Sequence, residues 1–247
     1  IVTAPTGSGQ HQDGGIWRLS NKRGAVCRLF SNFYKGVKVA LSKTDLRVVK
    51  TLRQIDQALL ENLRQRPFPK ITVDQLCQSA LINRSTFYKY YQDKFDLMDR
   101  YLGRVVEEFR GQMDVAFVTA SPQRVYDQIY QRNFQQALEF LLRNRETYML
   151  LWNTPLERPV FIEMVEIIHN NIMERLAAER GEMTGEYRRY ADLYARLFAS
   201  DMMTLVRWWF EDPERLSVQE VCTLMARNMR DGMFKTFRAG QSGTPQP

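Results

Sequence analysis

The stretch Ile71–Leu97, ITVDQLCQSALINRSTFYKYYQDKFDL, decides how the chain is read. Thr72 with Gln75 three residues later is a capping box, in which a hydroxyl and an amide close the free backbone N–H groups of a helix start. Val73, Leu76, Cys77 and Ala80 follow at helical spacing and line the inner face of a short helix. Asn83 suits an N-cap, and a second short helix is expected over Arg84–Tyr91. Asp93 then caps a longer helix reaching about Phe109. In this arrangement Val73, Leu76, Ala80, Ile82, Phe87 and Tyr91 point inward. The outward face of the second short helix is left with Arg84, Ser85, Thr86, Tyr88 and Lys89, all polar or able to hydrogen-bond.

Working outward, Leu52, Ile55, Leu59 and Leu63 share one face of a helix expected from Asp45 to Arg66, which Pro67 and Pro69 end. Residues 1–40 hold six of the 13 glycines and have neither a helical nor an alternating apolar period. They are expected to be a disordered or non-native extension, with Leu41 as an alternative translation start. Beyond residue 111, five helical segments are expected. The first starts at Ser121 and Pro122 and reaches about Asn144; Glu146–Trp152 and Val160–Arg180 follow, the latter two separated by Pro155 and Pro159. Thr184–Phe210 and Ser217–Phe237 complete the set, with a second capping box in Ser217 and Glu220. Strand signals and internal repeats are missing from the sequence. The expected fold is all-α: a three-helix head over residues 41–98, followed by a helical bundle over residues 99–247.

Charge divides along the same line. Residues 1–45 carry seven Lys or Arg against two Asp or Glu, a net +5, and residues 46–98 carry nine against five, a net +4. Residues 99–247 carry 19 against 21, a net −2, and their one lysine is Lys235. A basic head on a near-neutral body suits a polyanionic partner, although a basic surface also serves solubility. Cys27, Cys77 and Cys222 are too far apart for a metal-ligand set and odd in number, so they read as small buried thiols. An apolar run long enough for a membrane span is lacking, and the expected location is the cytoplasm. His11 and His169 are the only histidines, and neither a Gly-rich phosphate loop nor a nucleophile beside a base occurs, so the chain does not read as an enzyme.

The 71–97 stretch resembles the DNA-binding head of the TetR/AcrR family of transcriptional regulators. The residues that carry the resemblance are Thr72, Val73, Leu76, Cys77, Ala80, Ile82, Asn83, Thr86, Phe87, Tyr88, Lys89, Tyr90, Tyr91, Asp93, Lys94 and Leu97. One position departs from the family pattern: Leu81 stands where a glycine usually follows the alanine. A positive φ there costs a leucine about 1 kcal/mol or more. Either the turn differs, or the strain is carried elsewhere.

The resemblance implies a helix-turn-helix that docks on double-stranded, palindromic operator DNA, with Thr72, Asn83, Arg84, Ser85, Thr86, Tyr88, Lys89, Tyr90 and Lys94 as contact residues. Thr72 and Lys94 are expected on phosphates, and Lys89 and Arg84 on base edges. Phe87 and Tyr91 are expected in the core. It also implies a homodimer through the last two helices, where Tyr194, Phe198, Met202, Leu205 and Trp209 form one stripe and Val218, Val221, Met225 and Met229 another. The plainer alternative is that these two helices are the centre of a monomeric bundle. His169 interrupts the stripe Ile162, Val165, Ile172 and Leu176; with Phe134, Tyr148 and Trp152 it is a candidate contact for a small-molecule effector, or else a hydrogen-bonded core residue. Neither a metal nor a cofactor is implied. The function expected is a ligand-released repressor, and the alternative is a co-activator or partner-binding adaptor with the same head.

Overall fold

The computed structural model describes residues 43–119, 128–180 and 185–241, and every regular element among them is helical. The chain divides into two compact units, Ile1–Arg53 and Gln54–Pro247. The described part of the first is the beginning of α1 (Lys43–Gln65), where Val49 and Leu52 are buried. In the second unit α1 continues with Ile55, Leu59 and Leu63 buried, so the expected apolar face is the observed one. The prolines do not simply end the helix. Phe68–Lys70 forms a 3₁₀ turn with Pro67 at its N-cap, and it buries Phe68.

The short helices follow as their caps dictate. In α2 (Val73–Ala80) the Thr72 hydroxyl accepts from the Gln75 N–H at 3.2 Å, and the Gln75 side chain accepts from the Thr72 N–H at 2.9 Å. In α3 (Arg84–Tyr90) Asn83 holds the N-cap position without a side-chain cap bond, so that expectation is met by backbone only. In α4 (Lys94–Gln112) the Asp93 carboxylate accepts from Phe95 and Asp96 N–H, both at 2.8 Å.

The remaining helices are α5 (Gln128–Arg143), α6 (Arg145–Asn153), α7 (Val160–Arg180), α8 (Gly185–Glu211) and α9 (Val218–Gln241). The expected Ser121–Pro122 start, Cys27, His11 and the extension over residues 1–40 lie outside the described residues. The second capping box forms: Ser217 N–H donates to Glu220 Oε2 at 2.8 Å, and Glu220 N–H donates to the Ser217 hydroxyl at 3.3 Å. The closest helix pair is α7 with α8. Glu166 pairs with Arg196 and His169 with Asp192, so the two run antiparallel. Around them sit α4, α5, α6 and α9, with Tyr148, Leu141, Trp209 and Phe210 among the most deeply buried side chains.

Polar ties hold α4 to the rest of this unit. Arg158, between α6 and α7, donates to both Glu163 oxygens at 2.8 Å and to Asp99 on α4 at 2.7 Å. Arg104 on α4 pairs with Asp56 on α1 and hydrogen-bonds Tyr91 after α3. Burial pushes the Asp56 carboxyl up to about 6 against the opposing pull of Arg104, and burial pushes the Tyr91 phenol up to about 12. Among the described residues no helix is long and apolar enough to cross a membrane.

Candidate nucleic-acid interface

The turn between α2 and α3 sets the geometry of the surface. Leu81 adopts φ 56° and ψ 44°, the left-handed conformation, and its side chain is 86% exposed. Its N–H bonds Gln78 O at 3.2 Å, while Ile82 N–H reaches back to Cys77 O at 3.0 Å. This pair of bonds is a Schellman closure, which satisfies the last carbonyls of α2. The glycine-type turn is therefore retained and leucine carries the strain. The leucine side chain, pointing into water, returns no packing.

With the turn fixed, Phe87 of α3 and, just after its end, Tyr91 are buried, as are Leu76 and Ala80 of α2. Val73 and Ile82 are half-buried. Asn62 of α1 sits buried beneath, donating to Ala58 O at 2.8 Å and Ser79 Oγ at 3.0 Å, which ties α1 to α2. On the far side of α3, Arg84, Ser85, Tyr88 and Lys89 are exposed, and Thr86 and Tyr90 are half-buried. Tyr88 braces edge-on against Phe87 with centroids 5.6 Å apart, and the Lys89 ammonium lies 5.7 Å from the Tyr90 ring. Thr72 and Asn83 are exposed at the starts of α2 and α3. Eight of the nine expected contact residues thus lie on or beside one helix-turn-helix surface with groups open to a partner.

Lys94 is different. Its ammonium donates to Phe68 O at 3.2 Å, Pro69 O at 2.8 Å and Ile71 O at 2.7 Å, and it lies 5.2 Å from both the Phe68 and Phe95 rings. An ammonium has three protons, and all three are spent. The expected phosphate grip is therefore not the geometry observed: Lys94 knots the start of α4 to the turn before α2, and only its charge reaches outward. Sequence reading missed this because the three carbonyls lie 23 to 26 residues upstream. Sequence reading also missed Asp74, whose Oδ1 lies 2.8 Å from Arg84 Nε.

The four expected effector residues do not converge. Phe134 lines an apolar cavity of about 20 Å³ together with Leu138, Ile168, Phe198, Met202 and Met225. That volume suits about one water, far below the several hundred Å³ of a drug-sized site. Tyr148 stacks on Trp152, which also stacks on Phe210 and donates its indole N–H to Met164 Sδ at 3.3 Å. His169, 5% exposed, places Nε2 2.8 Å from Asp192 Oδ1 and Nδ1 3.0 Å from Asn170 Oδ1, so it takes the hydrogen-bonded alternative. It lines a separate open groove of about 650 Å³ with Arg188, Arg189 and Asp192. The His169 hydrogen bond, followed by Arg196, holds the Asp192 carboxyl below its ordinary range.

The last two helices also correct the expected stripes. Phe198, Met202 and Met225 face the internal cavity, and Trp209 and Val221 are fully buried. The outer apolar face of α8 is Tyr190, Leu193, Tyr194 and Leu197, each 49–66% exposed. Among the described residues no group of His, Cys, Asp and Glu could hold a metal ion.

An all-helical chain with an intact helix-turn-helix is the class that these features define. The structure of a TetR transcriptional regulator from Streptococcus agalactiae 2603V is similar, with a TM-score of 0.50 and 17% identity over 75% of this chain and 97% of that one. This likeness shows that the chain has the all-helical fold of TetR-type regulators. Two further structures resemble it more loosely. The dihydroxyacetone kinase operon activator DhaS has a TM-score of 0.48 and 14% identity over 75% of this chain and 97% of its own. Thermus thermophilus FadR, a TetR-family transcriptional repressor in complex with lauroyl-CoA, has a TM-score of 0.42 and 17% identity over 74% and 94%. By sequence, no family model and no curated protein matches the chain.

Proposed function

We propose that the chain is a bacterial, cytoplasmic, sequence-specific DNA-binding regulator that works as a homodimer and represses until a small-molecule effector releases it. The observation that carries the reading is the outward face of α3, where Arg84, Ser85, Tyr88 and Lys89 stand exposed beside an undistorted helix-turn-helix core. A helix presented this way fits a major groove, and its long cations reach base edges. Two heads are needed to read a palindrome, and the exposed apolar face of α8 supports pairing with a second copy. The effector would enter where Phe134, Met202 and Met225 surround the small apolar cavity, and it must enlarge that cavity to fit. Leu81 does not favour the adaptor alternative, because the turn it occupies keeps its closure.

The test is selection of duplexes from a random library by the full chain, followed by salt titration on the selected and a scrambled duplex. An inverted repeat should be enriched. Lys89→Ala should lose about 1–3 kcal/mol on the selected sequence and much less on the scrambled one. Failure to enrich any sequence would remove the reading.

A further inference from the structure

Arg84 is not an independent side chain. As the first residue of α3 it places Nε 2.8 Å from Asp74 Oδ1 in the first turn of α2, and both side chains remain 63% exposed. So exposed a pair adds little to stability, since solvent screens it and ordering two chains costs entropy. Its effect is on geometry. An unbraced arginine must surrender several rotamers when it meets a base, and a braced one has surrendered them beforehand. A guanidinium also has donors on two edges. The ion pair lies on the Nε side of the guanidinium without hydrogen-bond alignment, and it leaves the terminal Nη1/Nη2 fork, which matches O6 and N7 of guanine.

We propose that Asp74 is a positioning residue for base reading, holding Arg84 so that its terminal fork meets a guanine in each half-site. The inference rests on the DNA-binding function proposed above and adds the chemistry of one recognised base. Position supports it, because the first residues of a recognition helix are those that reach base edges. Cost supports it too. The Asp74 carboxylate lies two residues from Thr72, at the exposed start of α2 where phosphate would approach, so it repels every DNA sequence alike. A carboxylate there weakens general affinity, and only a gain in discrimination offsets it.

The two effects have opposite signs, which makes the proposal testable with the full chain. Duplex selection and binding are compared for the unaltered protein, Asp74→Asn, Asp74→Glu and Arg84→Ala, each checked for an unchanged thermal transition. The unaltered protein should prefer guanine at one position of each half-site, and Arg84→Ala should abolish that preference. Asp74→Asn should cut the preference at the same position about 5- to 10-fold while raising affinity for a scrambled duplex about 2-fold. Asp74→Glu should restore most of the preference. An Asp74→Asn protein that keeps the guanine preference, or that weakens all positions and the scrambled duplex together, overturns the proposal. If the unaltered protein enriches no sequence at all, the DNA-binding reading fails first and the proposal falls with it, an outcome distinguishable from the other two.

Discussion

Helices α3 and α8 each turn one face to solvent, and the two faces are chemically opposite. On α3 the exposed residues are Arg84, Ser85, Tyr88 and Lys89; on α8 the exposed large apolar residues include Tyr190, Leu193, Tyr194 and Leu197, beside charged ones such as Arg189 and Arg196. Water solvates the first face readily, so α3 is stable uncovered and its charge selects an anionic partner. The second face exposes large apolar side chains in adjacent turns, each worth about 1.5–3 kcal/mol when fully buried. Burial drives that face towards protein rather than nucleic acid. Exposure alone therefore says little about a partner; the chemistry of what is exposed chooses it.

The strongest way to break this contrast is to make α8 resemble α3. Leu197→Glu puts a charge in the apolar face. If two copies meet there, the variant should lose several kcal/mol of association energy and sediment as a folded monomer with weakened operator binding. An unaltered protein that sediments as a monomer at micromolar concentration would refute pairing through α8. A smaller effect is expected from Lys94→Ala, which tests whether all the cations of the head serve the partner. The substitution removes a donor from three carbonyls, of which Phe68 O keeps the Ile71 N–H, and it should cost about 1–3 kcal/mol in urea-induced unfolding. Lys89→Ala should stay within about 0.5 kcal/mol in the same assay. Equal stability losses would mean that Lys89 is structural as well. An effect of opposite sign should come from Leu81→Gly, which relieves a left-handed leucine and should raise stability by about 1 kcal/mol. A loss instead would show that the exposed side chain is engaged in solution.

Local features of the fold were legible in the sequence, and tertiary ones were not. Thr72 with Gln75, Asp93, and Ser217 with Glu220 each form the cap that their spacing promises, because a cap is decided within four residues. The buried face of α1 was equally plain, since Leu52, Ile55, Leu59 and Leu63 share one stripe at helical spacing. On α8 the arc is too wide for periodicity to choose a side. Met202 and Trp209 proved to face inward, and Tyr190, Leu193 and Leu197 the other way. His169 read as an interruption of an apolar stripe, and only the antiparallel approach of α8 supplies Asp192 to satisfy it. For the candidate nucleic-acid interface, the exposed set on α3 was legible from helix geometry. The spent ammonium of Lys94 and the brace on Arg84 required the approach of separate elements.

The two described thiols give this contrast a chemical clock. Cys77 lies buried on the inner face of α2 and Cys222 buried in α9, and burial pushes the first thiol up and the second to about 11. An alkylating reagent needs an accessible thiolate, so neither sulfur reacts while its surroundings stay closed. Each reacts at a pace set by how often its own neighbourhood opens, and the two lie in different neighbourhoods. Mass spectrometry of the alkylated chain would thus time the loosening of the helix-turn-helix and of the bundle separately, in one sample, with native residues as the reporters.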